Sequence, residues 1–390
     1  MGSGMTGDSF AAIDELAAAP AAEATPGDEP RLAPLPLRGR MLGDDLAAAS
    51  DRLMRILSKF ESRPGPVMLG PWLGEVGFEV LYWIPFMRWV HANFPGLRGR
   101  MIAVTRGGVR SWYHPIISDY VEIYDHTPPE EVFEKRIRDG IPDKQKKRKD
   151  VPLENEIMSF ALQRLNLGRA EWFHPSFMHK YLRTLYNNRF IHWFRQVSVY
   201  EPLPQPELGP LEGRLPDDYI AVRFYESRAF PGTPENRALV ISMLRAITEK
   251  TNVVLLNPGI QADDHSDFEL PHPERVFRID HLMTPSNNLN VQAAAISRAR
   301  MFVGTYGGLS YLPPFLGVPS LCFYSGPNSF KRYHLELAND VFAGPQWAPF
   351  FAVDAGWGGS LAGMLAKVEA SFGRPAVDQP VISADEAILT

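Results

Sequence analysis

Three short stretches hold residues whose types and spacing could do chemistry. Thr305-Tyr306-Gly307-Gly308-Leu309-Ser310 offers hydroxyls beside backbone amides that two glycines leave open to a ligand. Such a turn suits a phosphate or diphosphate; its other reading is a plain tight turn in a sheet protein. Arg223 stands in the otherwise apolar run Ala221-Val222-Arg223-Phe224, and Arg228 follows in Tyr225-Glu226-Ser227-Arg228. An unpaired guanidinium is costly to bury, so Arg223 needs a partner. The fork of an arginine matches the oxygens of a leaving diphosphate, though a salt bridge to Glu226 or another carboxylate would also serve. The third stretch, Gly74-Glu75-Val76-Gly77-Phe78-Glu79, puts a carboxylate on a glycine loop. Glu75 could take a proton from a hydroxyl, or be a solvated loop residue. Glu79 is the reserve base, or a first-turn charge favoured by the helix dipole.

Metal chemistry is not expected. His265, His272, His281 and His334 match no zinc spacing, and Cys322 is the single cysteine. Asp263-Asp264 lies in a polar loop beside His265, not in an Asp-X-Asp cluster after a strand. Arginines and helix N-termini would then stabilise a leaving diphosphate in place of a metal.

The elements that must position these residues follow from the hydrophobic pattern. Met301–Thr305 is a short apolar strand, 309–316 a helix that Pro313 and Pro314 confine to a turn or two, and Ser320–Tyr324 a second strand. The glycine turn thus falls at a strand's carboxyl end, where open α/β sheets bind ligands. Further strands are expected at 219–224, 252–256 and 275–279, with helices at 234–250 and from Asn288 as cap. Earlier in the chain a helix at 43–60 precedes a strand at 66–70, the Glu75 loop, a helix bearing Pro85, and strands at 100–104 and 120–124. Residues 153–198 read as helical and aromatic, and the prolines of 200–218 mark a linker. The fold class is α/β, with two doubly wound sheets.

The run Gly304-Thr305-Tyr306-Gly307-Gly308-Leu309-Ser310, its apolar helix and Leu316-Gly317-Val318-Pro319 resemble the donor-side βαβ unit of GT-B glycosyltransferases. The heptosyltransferase and O-fucosyltransferase groups are the nearest likenesses, and in them this segment holds the diphosphate of a nucleotide sugar. The first half is similar to the opening of heptosyltransferases, which runs strand, Gly-Asp pair, then a helix containing Pro and closing with Arg. Gly74-Glu75, Pro85 and Arg88 match that order, with Glu in place of Asp and Val76-Gly77-Phe78-Glu79 extra. Val222 to Arg228 is loosely similar to an Arg-bearing stretch of O-fucosyltransferases. The resemblance covers about a quarter of the chain, in pieces.

It implies two Rossmann-like domains facing a cleft, with a closing helix at 359–372 crossing back to the first. It also implies sugar transfer, hexosyl or deoxyhexosyl, from a nucleotide-sugar co-substrate to a hydroxyl acceptor such as a cell-envelope glycan or lipid-linked saccharide. Donor contacts would come from Arg223, Glu226, Arg228, Thr305, Tyr306, Gly307, Gly308 and Ser310. Trp72, Gly74 and Tyr82 would meet the acceptor, and Glu75 or Glu79 would act as base. A nucleotide-sugar 2-epimerase of the same fold, or a non-catalytic binding scaffold, are the competing functions.

Composition bounds the rest. A chain of 390 residues, 45% hydrophobic and 22% charged, is globular and long enough for two domains. The expected layout is a disordered segment at 1–42, an acceptor-side domain at 43–199, the linker, a donor-binding domain at 219–358 and a helical tail at 359–390. A net charge of −5 argues against a nucleic-acid partner. One cysteine allows no internal disulfide, which suits a reducing cytoplasm. The run Lys144-Gln145-Lys146-Lys147-Arg148-Lys149 is a solvated loop or, on the sharper reading, a contact with an anionic membrane surface.

Overall fold

The apolar runs assemble into two parallel sheets. The computed structural model describes residues 44–138, 151–187, 191–260, 266–268, 274–326 and 328–356. The expectations for 1–42, for the basic run at 144–149, for Asp263-Asp264-His265, for His272 and for the helix at 359–372 lie outside the described residues.

The first sheet contains β1 (Val67–Leu69), β2 (Met101–Thr105), β3 (Asp119–Glu122) and β4 (Glu171–Phe173), in the order β3-β2-β1-β4. The second contains β5 (Tyr219–Arg223), β7 (Asn252–Leu255), β9 (Val276–Arg278), β10 (Met301–Thr305), β11 (Ser320–Tyr324) and β12 (Phe350–Asp354). Every pairing in both sheets is parallel. Within the stretch of the second sheet, β6 (Tyr225–Glu226) and β8 (Ser266–Asp267) make a small antiparallel pair. The spatial order β12-β11-β10-β5-β7-β9, counted within the second sheet, is that of the doubly wound dinucleotide-binding fold. Its switch point lies between β5 and β10, and ligands of such sheets sit beyond the strand ends there. The fold class is therefore as expected: two Rossmann-like α/β halves.

The inner strands β1, β2, β5, β7, β10 and β11 are nearly continuous apolar runs, as strands buried on both faces are. Val222, Val240, Leu244, Val253, Val303 and Leu321 form the heart of the second core. In the first, Met68, Val104, Val121 and Ile157 play that part. The helix Asp44–Ser62 buries Leu46, Leu53, Leu57 and Phe60, at spacings of seven, four and three residues that fall on one helical face.

Some elements differ from the sequence expectation. β4 lies inside the stretch read as helical, because three residues between two helices leave no periodicity to read. β12 (Phe350–Asp354), an apolar run after Pro349, is a strand beyond those expected. The cap of the helix Asn288–Ser297 is Asn287, whose Oδ1 accepts the Thr284 amide at 2.7 Å. The segment after the glycine turn is a 3₁₀ turn, Gly308–Tyr311, running into Leu312–Phe315.

The linker is fastened to both halves. Glu79–Trp83 forms a π-turn ahead of the helix Ile84–Asn93. Pro85 has no N–H to offer the Leu81 carbonyl, which accepts instead from the Tyr200 hydroxyl at 3.0 Å. Buried Arg88 donates to the Glu201 carbonyl at 2.8 Å. On the other side, the Leu203 amide donates to the Phe315 carbonyl at 2.8 Å, and Gln205 Nε2 to that of Leu316 at 3.1 Å.

Gly304 marks the tightest point of the second sheet, since a Cβ there would lie 2.2 Å from the Arg223 carbonyl oxygen. Gly304→Ala should therefore lower stability by about 1–3 kcal/mol, an overpacking cost read from urea unfolding. An unchanged midpoint would mean that β5 and β10 can part freely.

Candidate active site

A cavity of about 200 Å³ opens where the two halves meet, beyond the carboxyl ends of β5 and β10. Glu75, Phe78 and Tyr82 line it from the first half, and Arg228, Gly308 and His334 from the second. The glycine loops of the two halves touch. A Cβ on Gly77 would lie 2.9 Å from the Gly308 carbonyl oxygen, so this approach needs glycine.

The predicted donor residues divide into those that reach the cavity and those that support it. Tyr306, Gly307, Gly308 and Arg228 line it. Arg228 sits on the turn closed by reciprocal Ser227–Phe230 backbone hydrogen bonds and makes no ion pair among the described residues. Thr305 is fully buried, with Oγ1 accepting the Tyr225 amide at 3.0 Å and donating to the Tyr225 carbonyl at 2.9 Å. Its hydroxyl locks the turn to β10. Ser310 is likewise buried, and its Oγ accepts the Gly307 amide at 3.1 Å. Arg223 finds its partners within the protein, Gln292 Oε1 at 2.7 Å and Asp267 Oδ1 at 3.4 Å, and does not line the cavity. Glu226 pairs with Arg237. The phenol of Tyr311 donates to the Tyr306 oxygen at 2.8 Å, which fixes the Tyr306 ring in the cavity wall.

In the first half, the two carboxylates of the glycine loop have opposite fates. Glu75 is exposed at the cavity edge, just ahead of the short helix Val76–Phe78. Glu79 is fully buried. Its Oε1 accepts from Thr105 Oγ1 at 2.8 Å and from the Tyr113 hydroxyl at 2.7 Å, while Arg106 Nη1 meets its Oε2 at 2.7 Å. Arg106 also donates through Nη2 to the Gly74 carbonyl, so Gly74 anchors the loop and does not line the cavity. Burial, with Glu79 beside it, pushes the Tyr113 phenol well above its usual range. A second buried carboxylate, Glu122, accepts the Gly107 and Gly108 amides at 3.0 and 2.8 Å. Burial raises its pKa against the pull of these donors and of Tyr120. Trp72 is buried, stacked on Trp83 with ring centroids 5.6 Å apart, and stands behind the cavity wall.

Tyr82 does line the cavity, and its hydroxyl oxygen lies 2.6 Å from His334 Nδ1. From sequence, His334 offers only a histidine without zinc spacing. The partners are 252 residues apart in the chain, and nothing in the local pattern of either announces the other. Among the described residues no cluster of three or more metal-ligating side chains occurs.

Scanned against family models the chain matches none, and no curated protein sequence matches it. Among solved structures it is similar to a glycosyl transferase family 9 protein from Veillonella parvula, at 14% identity over 75% of this chain and 87% of that one, with a TM-score of 0.37. It is also similar to the ADP-heptose LPS heptosyltransferase II of E. coli, at 12% identity over 79% and 99% of the two chains, TM-score 0.43. A UDP-GlcNAc 2-epimerase from Methanocaldococcus jannaschii follows at 10% identity over 79% and 99%, TM-score 0.29.

The Glu79–Arg106 pair generates a prediction about the loop it anchors. Glu79→Gln keeps the shape and leaves the Arg106 charge buried without its counter-ion. The expected loss of stability is about 3–5 kcal/mol by urea unfolding. A loss below about 1 kcal/mol would mean that the pair contributes no more than an exposed one.

Proposed function

We propose that the chain is a metal-independent glycosyltransferase that moves a sugar from a nucleotide-sugar donor to a hydroxyl acceptor. The observation that carries this reading is that a glycine turn with Arg228, and a carboxylate, Glu75, line opposite sides of one cavity at the switch point of a doubly wound sheet. The donor's diphosphate would lie against Gly307-Gly308 and under Arg228. The acceptor would enter on the side of Glu75 and Tyr82. As its oxygen bonds to the anomeric carbon, Glu75 takes the hydroxyl proton. The bond from that carbon to the diphosphate oxygen breaks, and its electron pair leaves with the diphosphate. Arg228 and the backbone dipoles of the turn offset that charge. Thr305, Ser310 and Arg223 serve the site from behind, by holding the turn and the strand end that present it.

Acceptor-dependent release of free nucleoside diphosphate, measured in excess EDTA, is the expected outcome, once a thermal-shift screen of UDP, GDP, TDP, ADP and CMP and their sugars has found the donor. Loss of turnover with EDTA, restored by manganese or magnesium, would overturn metal independence. Release of nucleotide without an acceptor would favour an epimerase-like reaction, and binding without turnover a scaffold.

Glu75→Gln should lower kcat by roughly 10²–10⁴ while donor affinity holds. Full turnover in that variant would remove Glu75 as the base. In Gly308→Val the new Cβ would lie 2.8 Å from the Tyr225 hydroxyl, at a positive φ that valine avoids. Nucleotide affinity should be lost in a protein that still melts cooperatively; retained affinity would move the diphosphate elsewhere.

A further inference from the structure

The described cavity wall carries one arginine, Arg228, and one carboxylate, Glu75, so its fixed charges cancel. A diphosphate brings several negative charges into that space. Arg223 cannot help, because its guanidinium is committed to Asp267 and Gln292. The remaining lining group able to become cationic near neutral pH is His334.

His334 stands on the helix Arg332–Phe342 of the second half and reaches Tyr82 of the first. The rings of Phe78, Tyr82, Tyr186 and Tyr333 stand around its imidazole, with centroids at 4.9, 5.6, 5.6 and 4.4 Å. Titratable groups facing it include Tyr82 on the π-turn, Tyr186 on the helix Ser176–Asn187 and Tyr333 on its own helix. Glu75 and Arg228 share its cavity. Burial pushes the phenols of Tyr82 and Tyr186 well above their usual range, so both stay neutral around neutral pH. A neutral Tyr82 oxygen can accept a proton-bearing Nδ1, and the second ring proton then adds positive charge to the wall.

We infer that His334 takes up a proton when a nucleoside diphosphate binds, and so supplies the second cation of the donor site. This rests on the proposed function. Imidazole is the side chain whose charge a neighbouring ion most readily changes near neutral pH. A polyanion placed beside it favours the protonated ring, and by linkage protonation tightens the anion's binding.

Calorimetry tests this directly. The nucleoside diphosphate found by the thermal-shift screen is titrated at pH 7.5 in HEPES and in Tris, whose ionisation enthalpies differ. The wild-type protein should take up a substantial fraction of one proton more than His334→Gln does with the same ligand. At pH 6, His334→Gln should bind about tenfold more weakly, the factor for a shift of one pKa unit. In the wild-type protein, which requires no variant to fold, the His334 ring resonances should titrate at higher pH with nucleotide bound than without. Equal proton uptake in both proteins, or ring resonances that ignore the nucleotide, would overturn the inference while leaving the donor site standing. If no nucleoside diphosphate binds the wild-type protein, the donor reading falls and the role of His334 falls with it.

Discussion

A carboxylate with no exposure to water, Glu79, is the point from which the first half takes its shape. Leaving an anion there unpaired would cost several kcal/mol. Thr105, Tyr113 and Arg106 converge on it from the end of β2 and the turn beyond, so the strand end and the π-turn are held to one another. Arg106 carries the constraint one step further, to the Gly74 carbonyl, and so sets where Glu75 stands. Glu122 repeats the device for the next two residues by gathering the Gly107 and Gly108 amides. The carbonyl of Gly107 in turn accepts the Asn290 amide of the second half at 3.0 Å, and Ser286 bonds Asp125 at 2.8 Å beside it. Buried charge in one half thereby orders a surface on which the other rests.

The second half meets a different constraint, how to leave backbone open at a cavity without losing its own order. Its hydroxyls are spent inward: Thr305 ties β10 to Tyr225, and Ser310 closes the turn at Gly307. What faces the cavity is what cannot collapse onto a neighbour, two glycines, an arginine at the tip of a turn, and aromatic rings braced by each other. The contact of Gly77 with Gly308 then fixes the separation of the walls, because neither residue has a side chain that could yield.

The sequence made much of this legible where periodicity and chemistry coincide. Continuous apolar runs bounded by glycine and proline gave the strands flanking the switch point, and the glycine turn placed itself at a strand end. The same evidence could not separate a residue that touches a ligand from one that holds the residue that does. Arg223, Thr305 and Ser310 have the right types in the right place, yet Arg223 and Thr305 are satisfied by partners distant in the chain and Ser310 by Gly307 within its own turn. Glu75 and Glu79 stand four positions apart with the same side chain, and burial alone divides them. His334 was illegible for the complementary reason, since its meaning comes wholly from Tyr82 and the rings around it. β4, three residues at a sheet end, takes its conformation from the neighbour it pairs with, whereas β12 is a five-residue apolar run that the expected strands did not include.

The proline-rich segment between the halves has a consequence for how this protein could be recombined. A tether of that composition invites treatment of the two sheets as interchangeable cassettes. Here its first residues are riveted to both halves, to the Leu81 and Pro85 carbonyls on one side and to those of Phe315 and Leu316 on the other. Those last two residues close the short helix that begins at the glycine turn. A hybrid with a foreign second half would need carbonyls where Phe315 and Leu316 stand, and one with a foreign first half where Leu81 and Pro85 stand, or the segment's donors would go unanswered. The halves of this chain are modular in topology and not in assembly.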